Sequence, residues 1–470
     1  FNFFIIRGTF GMYPLGKMIP NVSANEYINK MSQNGVRAFI TAYDVRSKFK
    51  KSKIDYIKET GFENSIEKAF EIHKQTSNID RENLLNNITY KTKKIDDKDY
   101  NVVVIMVESF GMPILKYQSE EFDIMGNLKK HFEEDILFTN IISEGDGTIA
   151  SLEALLLNIP YRPNSFPFSQ SDYAQTSFTF SPAFLYNAKG YNTSFIYGGD
   201  STWRDLGKFV KYQDYKTVEG KQDIFSSIKI TQKESEYFHP WGIYDEYLYD
   251  HILNKLEISN GKEMILALST NNHPPYNIPN GYKSKILSYS EDLKNHITGD
   301  FSLAEQRLKS YGYALDSVGT FLDKFKQSRF KENTIVVITA DNNTIEGIMK
   351  YDDNPIFTSK NIPIYFYLPQ KLKEKLEIDT TVAGSQKDIF PTLYNLTLKD
   401  TKYLSIGNNL FDKIHPHFGF NGSMIVNREN EVRKLNSLKD KSNDELINYY
   451  KASLAVTEYL VKHYKKKEKW

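Results

Sequence analysis

The stretch NVVVIMVE at residues 101–108 is a short β-branched and apolar run that ends in a carboxylate. Runs of this length and composition predict buried strands. Five similar runs follow it along the chain: ILFTNI (136–141), YNTSFIYG (191–198), EMILALST (263–270), NTIVVITAD (333–341) and IPIYFYLP (362–369). Between them lie helical patterns: IASLEALLLN (149–158), DEYLYDHILNKLE (245–257) and SYGYALDSVGTFLDKFKQ (310–327). This alternation predicts an α/β fold, in which a mostly parallel central sheet is covered by helices on both faces.

Outside this alternating region, the two ends of the chain have a different composition. Residues 1–100 mix short apolar patches with Lys-rich polar stretches, and 43–70 show a helical pattern with solvated faces. We expect an N-terminal approach segment that follows a membrane region absent from this chain, which begins at Phe1. Residues 101–424 form the expected core domain, and 425–470 are predicted to form a peripheral helical extension with a basic end.

The overall composition excludes several classes of function. Lys and Arg number 60 against 59 Asp and Glu, so the chain has no excess charge that would attract nucleic acid. It has no cysteine, which excludes thiolate catalysis, cysteine-held zinc and disulfide bonds. Its longest apolar runs have strand length, well short of the roughly 20 residues that a membrane-spanning helix needs. The function must therefore be found in a specific site.

Polar side chains follow three of the predicted strands. Glu108 and Ser109 follow the first strand, His273 stands in the segment after the fourth, and Asp341 and Asn342 follow the fifth. Ligands of an open parallel sheet bind beyond the carboxyl ends of its strands. Turns after strands favour Asp, Asn and Ser for structural reasons alone. Three such ends on one sheet nevertheless favour a functional site.

The segment EGDGT at residues 144–148 stands directly before the predicted helix at 149–158. The simplest interpretation of Thr148 is an N-cap, whose hydroxyl accepts a hydrogen bond from the first helical turn. The same position attracts an anion such as phosphate, because free amides and the helix dipole point towards it. In a chain without cysteine, a divalent cation is the plausible activator that would turn this hydroxyl into a nucleophile.

The order of these motifs resembles that of lipoteichoic acid synthase and its Gram-negative phosphoglycerol-transferase relatives, in the alkaline phosphatase and sulfatase superfamily. The shared features are Glu after the first strand, Gly-x-Gly-Thr before a helix, Trp-Arg, Asn-His-Pro-Pro-Tyr, and a strand that ends in Thr-Ala-Asp. The resemblance covers residues 101–411 and includes SQKDIFPTLYNL (385–396). RGTFGMYPLG (7–16) is similar to the stretch that follows the membrane helices in the Gram-negative members.

The resemblance implies that Glu108, Thr148, Asp341 and Asn342 hold one divalent cation, and that Thr148 is also the nucleophile. Asn342 departs from the family, in which a histidine normally stands at this position. Because an amide oxygen suits hard cations better than zinc, we expect Mn²⁺ or Mg²⁺ here rather than Zn²⁺. The departure is equally open to interpretation as a natural variant, an inactivating change or a degenerate enzyme.

The resemblance also implies the residues that contact the substrate. His273 would act on the transferred phosphate, both as a catalytic and as a substrate-binding group, while Trp203 and Arg204 would contact the phosphoglycerol head group. Each has a structural alternative. His273 could be a hydrogen-bonding residue of a Pro-rich loop, Trp203 a packing residue, and Arg204 the partner of Asp205 in a surface ion pair. His239 is interpreted as structural.

The implied activity is metal-dependent transfer of phosphoglycerol from a phosphatidylglycerol-type lipid, through a phosphorylated threonine, to an envelope glycan or a polyglycerolphosphate acceptor. The sulfatase-like catalytic domain (101–424) would lie on the periplasmic or extracytoplasmic side of the inner membrane, attached through N-terminal helices.

Three alternatives to this activity stay open. A sulfatase needs a Cys or Ser in a Cys/Ser-x-Pro-x-Arg motif, which TIAS (148–151) does not match. Phosphoethanolamine transferases resemble zinc enzymes with disulfide-rich domains, whereas this chain has no cysteine. A non-catalytic envelope-binding relative is favoured only by Asn342.

Overall fold

The computed structural model describes residues 54–464 except 94, 344–348, 352, 440 and 441, together with the single positions 35, 39 and 43. Its helices in chain order are α1 (Tyr56–Glu59), α2 (Ile66–Lys74), α3 (Leu128–Glu134), α4 (Thr148–Leu157), α5 (Pro182–Ala188), α6 (Leu206–Tyr212), α7 (Lys221–Ser227), α8 (Asp245–Ile258), α9 (Glu291–His296), α10 (Phe301–Gln327), α11 (Pro355–Thr358), α12 (Gln370–Lys373), α13 (Ile389–Thr397) and α14 (Glu445–His463). Its strands are β1 (Thr89–Lys91), β2 (Asn101–Val107), β3 (Ile136–Phe138), β4 (Tyr191–Tyr197), β5 (Thr217–Glu219), β6 (Phe238–His239), β7 (Gly242–Ile243), β8 (Lys262–Leu268), β9 (Thr334–Ala340), β10 (Ile364–Tyr367), β11 (Lys402–Leu404), β12 (Gly419–Phe420), β13 (Met424–Val426) and β14 (Val432–Lys434).

The central sheet has seven strands in the order β3-β10-β9-β2-β8-β4-β5. Strands β9, β2, β8, β4 and β5 run parallel to one another, and β10 is antiparallel to both β9 and β3. In register, Val104 of β2 lies between Val337 of β9 and Leu266 of β8. Nearly every residue of these three central strands is buried, as expected when both faces of a sheet are covered. All six predicted strands are present, and the predicted α/β fold is confirmed.

The three predicted helices correspond to α4, α8 and α10. Helix α10 begins at Phe301, nine residues before the predicted start at 310, because the side chain of Asp300 accepts a hydrogen bond from the amide of Leu303 and caps the first turn. These additional turns matter for the site, since they bring the start of α10 against the loop that follows β8.

The prediction of one solvated helix over residues 43–70 is wrong for the described part of that range. A turn interrupts the helix between α1 and α2, where Gly61 has a φ of +86° that disfavours any other residue. Tyr56 and Phe70 are fully buried, because these helices pack against α14 rather than face solvent. Residues 7–16 and 44–53 lie outside the described residues.

The C-terminal region combines a small sheet with a helix. Strands β12, β13 and β14 form an antiparallel sheet, so the helical prediction from 425 onward is wrong until α14 begins. Asp444 caps α14 by accepting from the amides of Leu446 and Ile447. Domain boundaries at 100 and 424 stay a prediction. Within the part of the chain that the structure describes, no helix combines the length and apolarity needed to cross a bilayer.

Candidate functional site

The carboxyl ends of β2, β8 and β9 meet at one edge of the sheet and are joined by hydrogen bonds. The amide of Glu108 donates to Ser269 Oγ at 3.0 Å. The amide of Ser109 donates to Asp341 Oδ1 at 2.7 Å, and its hydroxyl donates to Glu108 Oε1 at 2.8 Å. These bonds hold both predicted acidic residues in place, one at the end of each of two neighbouring parallel strands.

Thr148 is the first residue of α4, directly above this edge. Gly147 is the N-cap, and the Thr148 hydroxyl makes no capping hydrogen bond, so the interpretation of Thr148 as an N-cap is wrong. The hydroxyl donates instead to Asp341 Oδ2 at 2.6 Å and lies 3.3 Å from Glu108 Oε2. Gly145 lets the loop before Thr148 pack against the first turn of α4, because a Cβ there would lie 2.3 Å from the Cβ of Ala150. The side chain is only partly buried, which leaves it open to a ligand.

The two carboxylates are buried and have no cationic partner within the described part of the chain. Glu108 is 8% exposed and Asp341 is fully buried. Burial raises the pKa of Glu108 well above its ordinary value, and the charge of Asp341 raises it further. Burial likewise raises the pKa of Asp341. Among the residues that the structure describes, neither carboxylate forms an ion pair with Lys, Arg or His, so negative charge at this edge is unbalanced.

Asn342 extends the same group of oxygen atoms. Its amide N–H donates to Asp341 Oδ1 at 2.7 Å. Its side-chain oxygen is buried and accepts no hydrogen bond from the described chain, which is uncommon for a buried polar atom. Two unbalanced carboxylates, a hydroxyl and a free amide oxygen form a donor set that fits a hard divalent cation. The assignment of Glu108, Thr148, Asp341 and Asn342 as metal ligands stays a prediction.

His273 lies in the loop after β8, where Trp241 packs against it. The centroids of the two rings are 3.8 Å apart. The Nδ1 atom of His273 is buried and has no hydrogen-bond partner within the described residues, and burial lowers the pKa of the ring. His273 is therefore neutral at neutral pH. The sequence does not predict a role for Trp241, which stands two residues after His239. His239 itself bonds to Thr270 Oγ1 at 3.0 Å.

Trp203 and Arg204 occupy a 3₁₀ turn, Trp203–Asp205, above the end of β4. The guanidinium carbon of Arg204 lies 5.3 Å from the Trp203 ring, and Nη1 donates to Gln170 Oε1 at 3.1 Å. Asp205 pairs instead with Lys208, so the alternative of an Arg204–Asp205 ion pair is wrong for the described structure. Arg204 is exposed, so its guanidinium group is accessible to a ligand.

Tyr197 connects this turn to the acidic edge. Its ring centroid lies 6.2 Å from that of Trp203. Burial raises the pKa of Tyr197, and the charges of Glu108, Asp200 and Asp341 raise it further. The sequence does not predict a role for Tyr197, because an apolar strand gives no sign of which residue faces the site.

Gln386 joins the loop before Thr148 to the end of β9. Its Oε1 accepts from the amide of Glu144 at 2.8 Å, and its Nε2 donates to the carbonyl of Ala340 at 2.8 Å. The side chain is 1% exposed. One buried amide thus fixes the distance between the segment that carries Thr148 and the strand that presents Asp341. The family resemblance covers the segment 385–396 but predicts no role for Gln386.

A second acidic group lies away from this edge, at the end of α3. Within the described ranges, His131, Glu134 and Asp135 place three potential metal ligands close together. The ammonium of Lys326 already lies 3.1 Å from Glu134 Oε2 and 2.8 Å from Asp135 Oδ2. This group is better described as a surface ion-pair network than as a metal site.

Residues 100–398 match the sulfatase family, and the chain belongs to that family. Phosphoglycerol transferase I of Escherichia coli (strain K12) is 24% identical over 282 residues, which are 57% of this chain and 34% of that protein. The chain therefore spans about a third of the length of the curated relatives that it matches.

Two solved structures share the fold. A protein of the alkaline phosphatase superfamily from Vibrio parahaemolyticus aligns with a TM-score of 0.64 at 19% identity, over 86% of this chain and 97% of that chain. The lipoteichoic acid synthase LtaP from Listeria monocytogenes aligns with a TM-score of 0.61 at 14% identity, over 85% and 99% respectively. The predicted resemblance to lipoteichoic acid synthase-like members of the alkaline phosphatase superfamily is confirmed.

Proposed function

We propose that this chain is the catalytic domain of a phosphotransferase that moves phosphoglycerol from a phosphatidylglycerol-type lipid to an acceptor hydroxyl, with Thr148 as nucleophile. The observation that carries the proposal is the contact of the Thr148 hydroxyl, partly exposed at the start of α4, with two buried carboxylates. The name of the Escherichia coli relative, a phosphoglycerol transferase, supports the same reaction class.

Glu108, Thr148, Asp341 and Asn342 would hold the divalent cation, for which we favour Mn²⁺ or Mg²⁺ because all four ligand atoms are oxygens. When bound, such a cation lowers the pKa of a coordinated hydroxyl and neutralises developing negative charge. The buried, unbalanced carboxylates support this assignment, since they are otherwise costly to keep ionised in the folded chain.

In the first step, the Thr148 hydroxyl gives up its proton as Oγ1 forms a bond to phosphorus, and the bond from phosphorus to the diacylglycerol oxygen breaks. The diacylglycerol oxygen takes up a proton as it leaves, and phosphoglyceryl-threonine remains. Arg204 would hold phosphate oxygens with its fork, and the neutral His273 ring would donate a hydrogen bond to the same group. In the second step an acceptor hydroxyl attacks this phosphorus and gives up its proton, the bond from phosphorus to Thr148 Oγ1 breaks, and Oγ1 takes up a proton.

The proposed acceptor is an envelope glycan or a polyglycerolphosphate chain. A lipid donor presents its phosphate at a membrane surface, so the domain would act on the periplasmic or extracytoplasmic face of the inner membrane, held there by N-terminal helices.

The test is release of diacylglycerol from phosphatidylglycerol vesicles in the presence of Mn²⁺. Thr148→Ala should lower the rate by at least about 10³-fold, as expected for loss of a nucleophile. Its melting temperature should stay close to that of the wild type, because Thr148 does not cap α4. Thr381→Ala, at an exposed threonine that also bonds to a carboxylate, is the matched control. Full activity of Thr148→Ala contradicts the proposal, whereas phosphoglycerol on the peptide that contains Thr148 supports it.

A further inference from the structure

Arg307 is a buried cation near the beginning of α10. Only 7% of its surface is exposed. Among the described residues, its buried Nε has no hydrogen-bond partner, and no carboxylate lies within ion-pair distance of its guanidinium. Arg162 provides the contrast, since it is 6% exposed and pairs with the buried Glu458 at 2.9 Å. Of these two buried arginines, Arg307 alone lacks an anionic partner in the described structure.

The surroundings of Arg307 place it beside the candidate site. Its guanidinium carbon lies 5.5 Å from the centroid of the Tyr276 ring, three residues after His273. The neighbouring Gln306 donates to the carbonyl of Pro275 at 3.0 Å, which docks the start of α10 on the same loop. The charge of Arg307 contributes to the lowered pKa of His273, as expected for a nearby cation.

Arg307 also faces the end of β9. Its charge interacts with Tyr351 as well as with Tyr276. The Tyr351 hydroxyl accepts from Asn343 Nδ2 at 3.2 Å, and Asn343 directly follows Asn342. Arg307 therefore lies between the loop that carries His273 and the segment that carries Asn342.

A buried guanidinium without an anion is costly, and burial lowers the pKa of Arg307. The two tyrosine rings recover only part of that cost, because a cation–π contact is worth less than a charge-assisted hydrogen bond. An apolar side chain would fill the same space at lower cost. A planar fork of this kind matches two oxygens of a phosphate group.

We propose that Arg307 binds phosphate oxygens of the substrate beside His273, as a second anion-binding residue in addition to Arg204. This inference rests on the proposed function and names a further substrate contact in the same site. The ligand chemistry is a glycerol phosphate group, which could belong to the lipid donor or to a phosphorylated acceptor.

The direct test is calorimetric titration of sn-glycerol 1-phosphate, with glycerol as the uncharged probe, into the wild-type chain and its variants. Arg307→Gln should weaken glycerol phosphate binding by about 10- to 100-fold, as loss of hydrogen bonds to a charged group gives. Arg307→Lys should recover part of the affinity, since it keeps the charge without the fork. Arg329→Gln, the same change at an exposed arginine just beyond α10, should bind as the wild type does.

Thermal unfolding separates this function from a purely structural role. Without ligand, Arg307→Gln should melt no lower than the wild type, because it removes a buried unpaired charge. The stabilisation that glycerol phosphate gives the wild type should be lost in the variant. A lower melting temperature with unchanged glycerol phosphate affinity overturns the proposal and assigns Arg307 to the fold.

Two activity measurements distinguish the source of the phosphate. If diacylglycerol release slows in Arg307→Gln without acceptor present, the ligand is the donor head group; if only transfer to a glycerol phosphate acceptor slows, the ligand is the acceptor. A wild-type chain that binds glycerol phosphate but releases no diacylglycerol contradicts the proposed function alone. The role of Arg307 alone is overturned if Arg307→Gln turns over lipid at the wild-type rate and binds glycerol phosphate with wild-type affinity. It is also overturned if the wild-type chain binds no glycerol phosphate.

Discussion

Gln386 joins two groups of buried acidic residues that differ in how their charges are balanced. In the first group, Glu108 and Asp341 contact the Thr148 hydroxyl and form no ion pair among the described residues. The second group consists of Glu144 and Asp388, beside the cation of Lys387. Lys387 Nζ lies 2.6 Å from Asp388 Oδ2 and also bonds to Ser385 Oγ and the Phe418 carbonyl. Asp388 further accepts from two backbone amides.

This difference distinguishes a structural group of charges, the second, from a candidate ligand-binding group, the first. The second group is satisfied by the chain itself, so it can fix the loop before Thr148 without any ligand. The first group leaves negative charge and one amide oxygen without partners, and it needs something from outside the described chain to balance them. The fold thus keeps its compensated charges behind the site and its uncompensated charges at the edge where substrate would arrive.

Removing Lys387, the cation of the second group, should give the largest effect on stability. Lys387→Met leaves the buried Asp388 and Glu144 without their countercharge, and should lower the free energy of unfolding by about 3–5 kcal/mol. Urea denaturation at pH 7 measures this loss. A change below about 1 kcal/mol would mean that the ion pair is not what holds this segment.

The matched change in the first group should act in the opposite direction. Glu108→Gln replaces a buried carboxyl, which has no cationic partner among the described residues, with a neutral amide of similar shape. In the presence of a chelator the variant should therefore be at least as stable as the wild type. With Mn²⁺ added, only the wild type should gain stability. If Glu108→Gln in the presence of a chelator has a free energy of unfolding as low as that of Lys387→Met, the contrast between the two groups is wrong.

Glu144 gives the next largest effect, which depends on pH. Burial raises its pKa from 4.5 to about 7, while Lys387 and a hydrogen bond from Ser385 oppose the shift. Below pH 4.5 the carboxyl is protonated in both the folded and the unfolded chain. As the pH rises towards 7, only the unfolded chain loses the proton, so the stability falls until the folded carboxyl also ionises.

Glu144→Gln removes this dependence and keeps an oxygen that can accept a hydrogen bond. The stability of the variant relative to the wild type should therefore rise by about 1.4 kcal/mol per pH unit between pH 5 and 7, and level off above pH 7. Urea denaturation at several pH values measures the difference. A difference that is flat with pH would show that Glu144 is ionised throughout, with Lys387 as its full countercharge.

The sequence was sufficient to predict the central strands, because buried parallel strands are continuous apolar runs. It also predicted that Glu108, Thr148 and Asp341 could meet, since the ends of parallel strands share one edge. The short strands were missed, among them β5, whose three residues are all half-buried, and the C-terminal sheet. Strands of two or three residues with mixed polarity carry no periodic signal.

The residues that surround the strand ends could not be predicted in the same way. Trp241 and Arg307 reach the His273 loop only because separate elements dock there, and a Trp or Arg in those sequences has no local pattern that distinguishes it from a surface residue. Lys387 and Glu144 are charged types that are usually exposed. Both are buried beside Ser385, whose hydroxyl donates to Glu144 Oε1 and accepts from Lys387 Nζ, and these contacts join distant parts of the chain.

Asn342 tests whether the first group, and not the second, binds a cation. If the unbalanced edge holds a cation through Glu108, Thr148 and Asp341, the free side-chain oxygen of Asn342 is its fourth ligand. Asn342→His would exchange that neutral oxygen for imidazole, which binds transition metals more strongly, so affinity for Mn²⁺ should rise by about tenfold and for Zn²⁺ by more. Calorimetric titration of both metals into the two forms measures these changes.

The neighbouring asparagine provides the control for this prediction. The side-chain Nδ2 of Asn343 donates to the carbonyl of Thr358 at 2.9 Å, so this side chain is already engaged away from the Thr148 hydroxyl. Asn343→His should therefore not raise metal affinity. Equal affinity of Asn342→His and the wild type would mean that position 342 does not face the metal. A gain in both variants would mean that any added imidazole binds metal at this edge, and neither result would support Asn342 as a ligand.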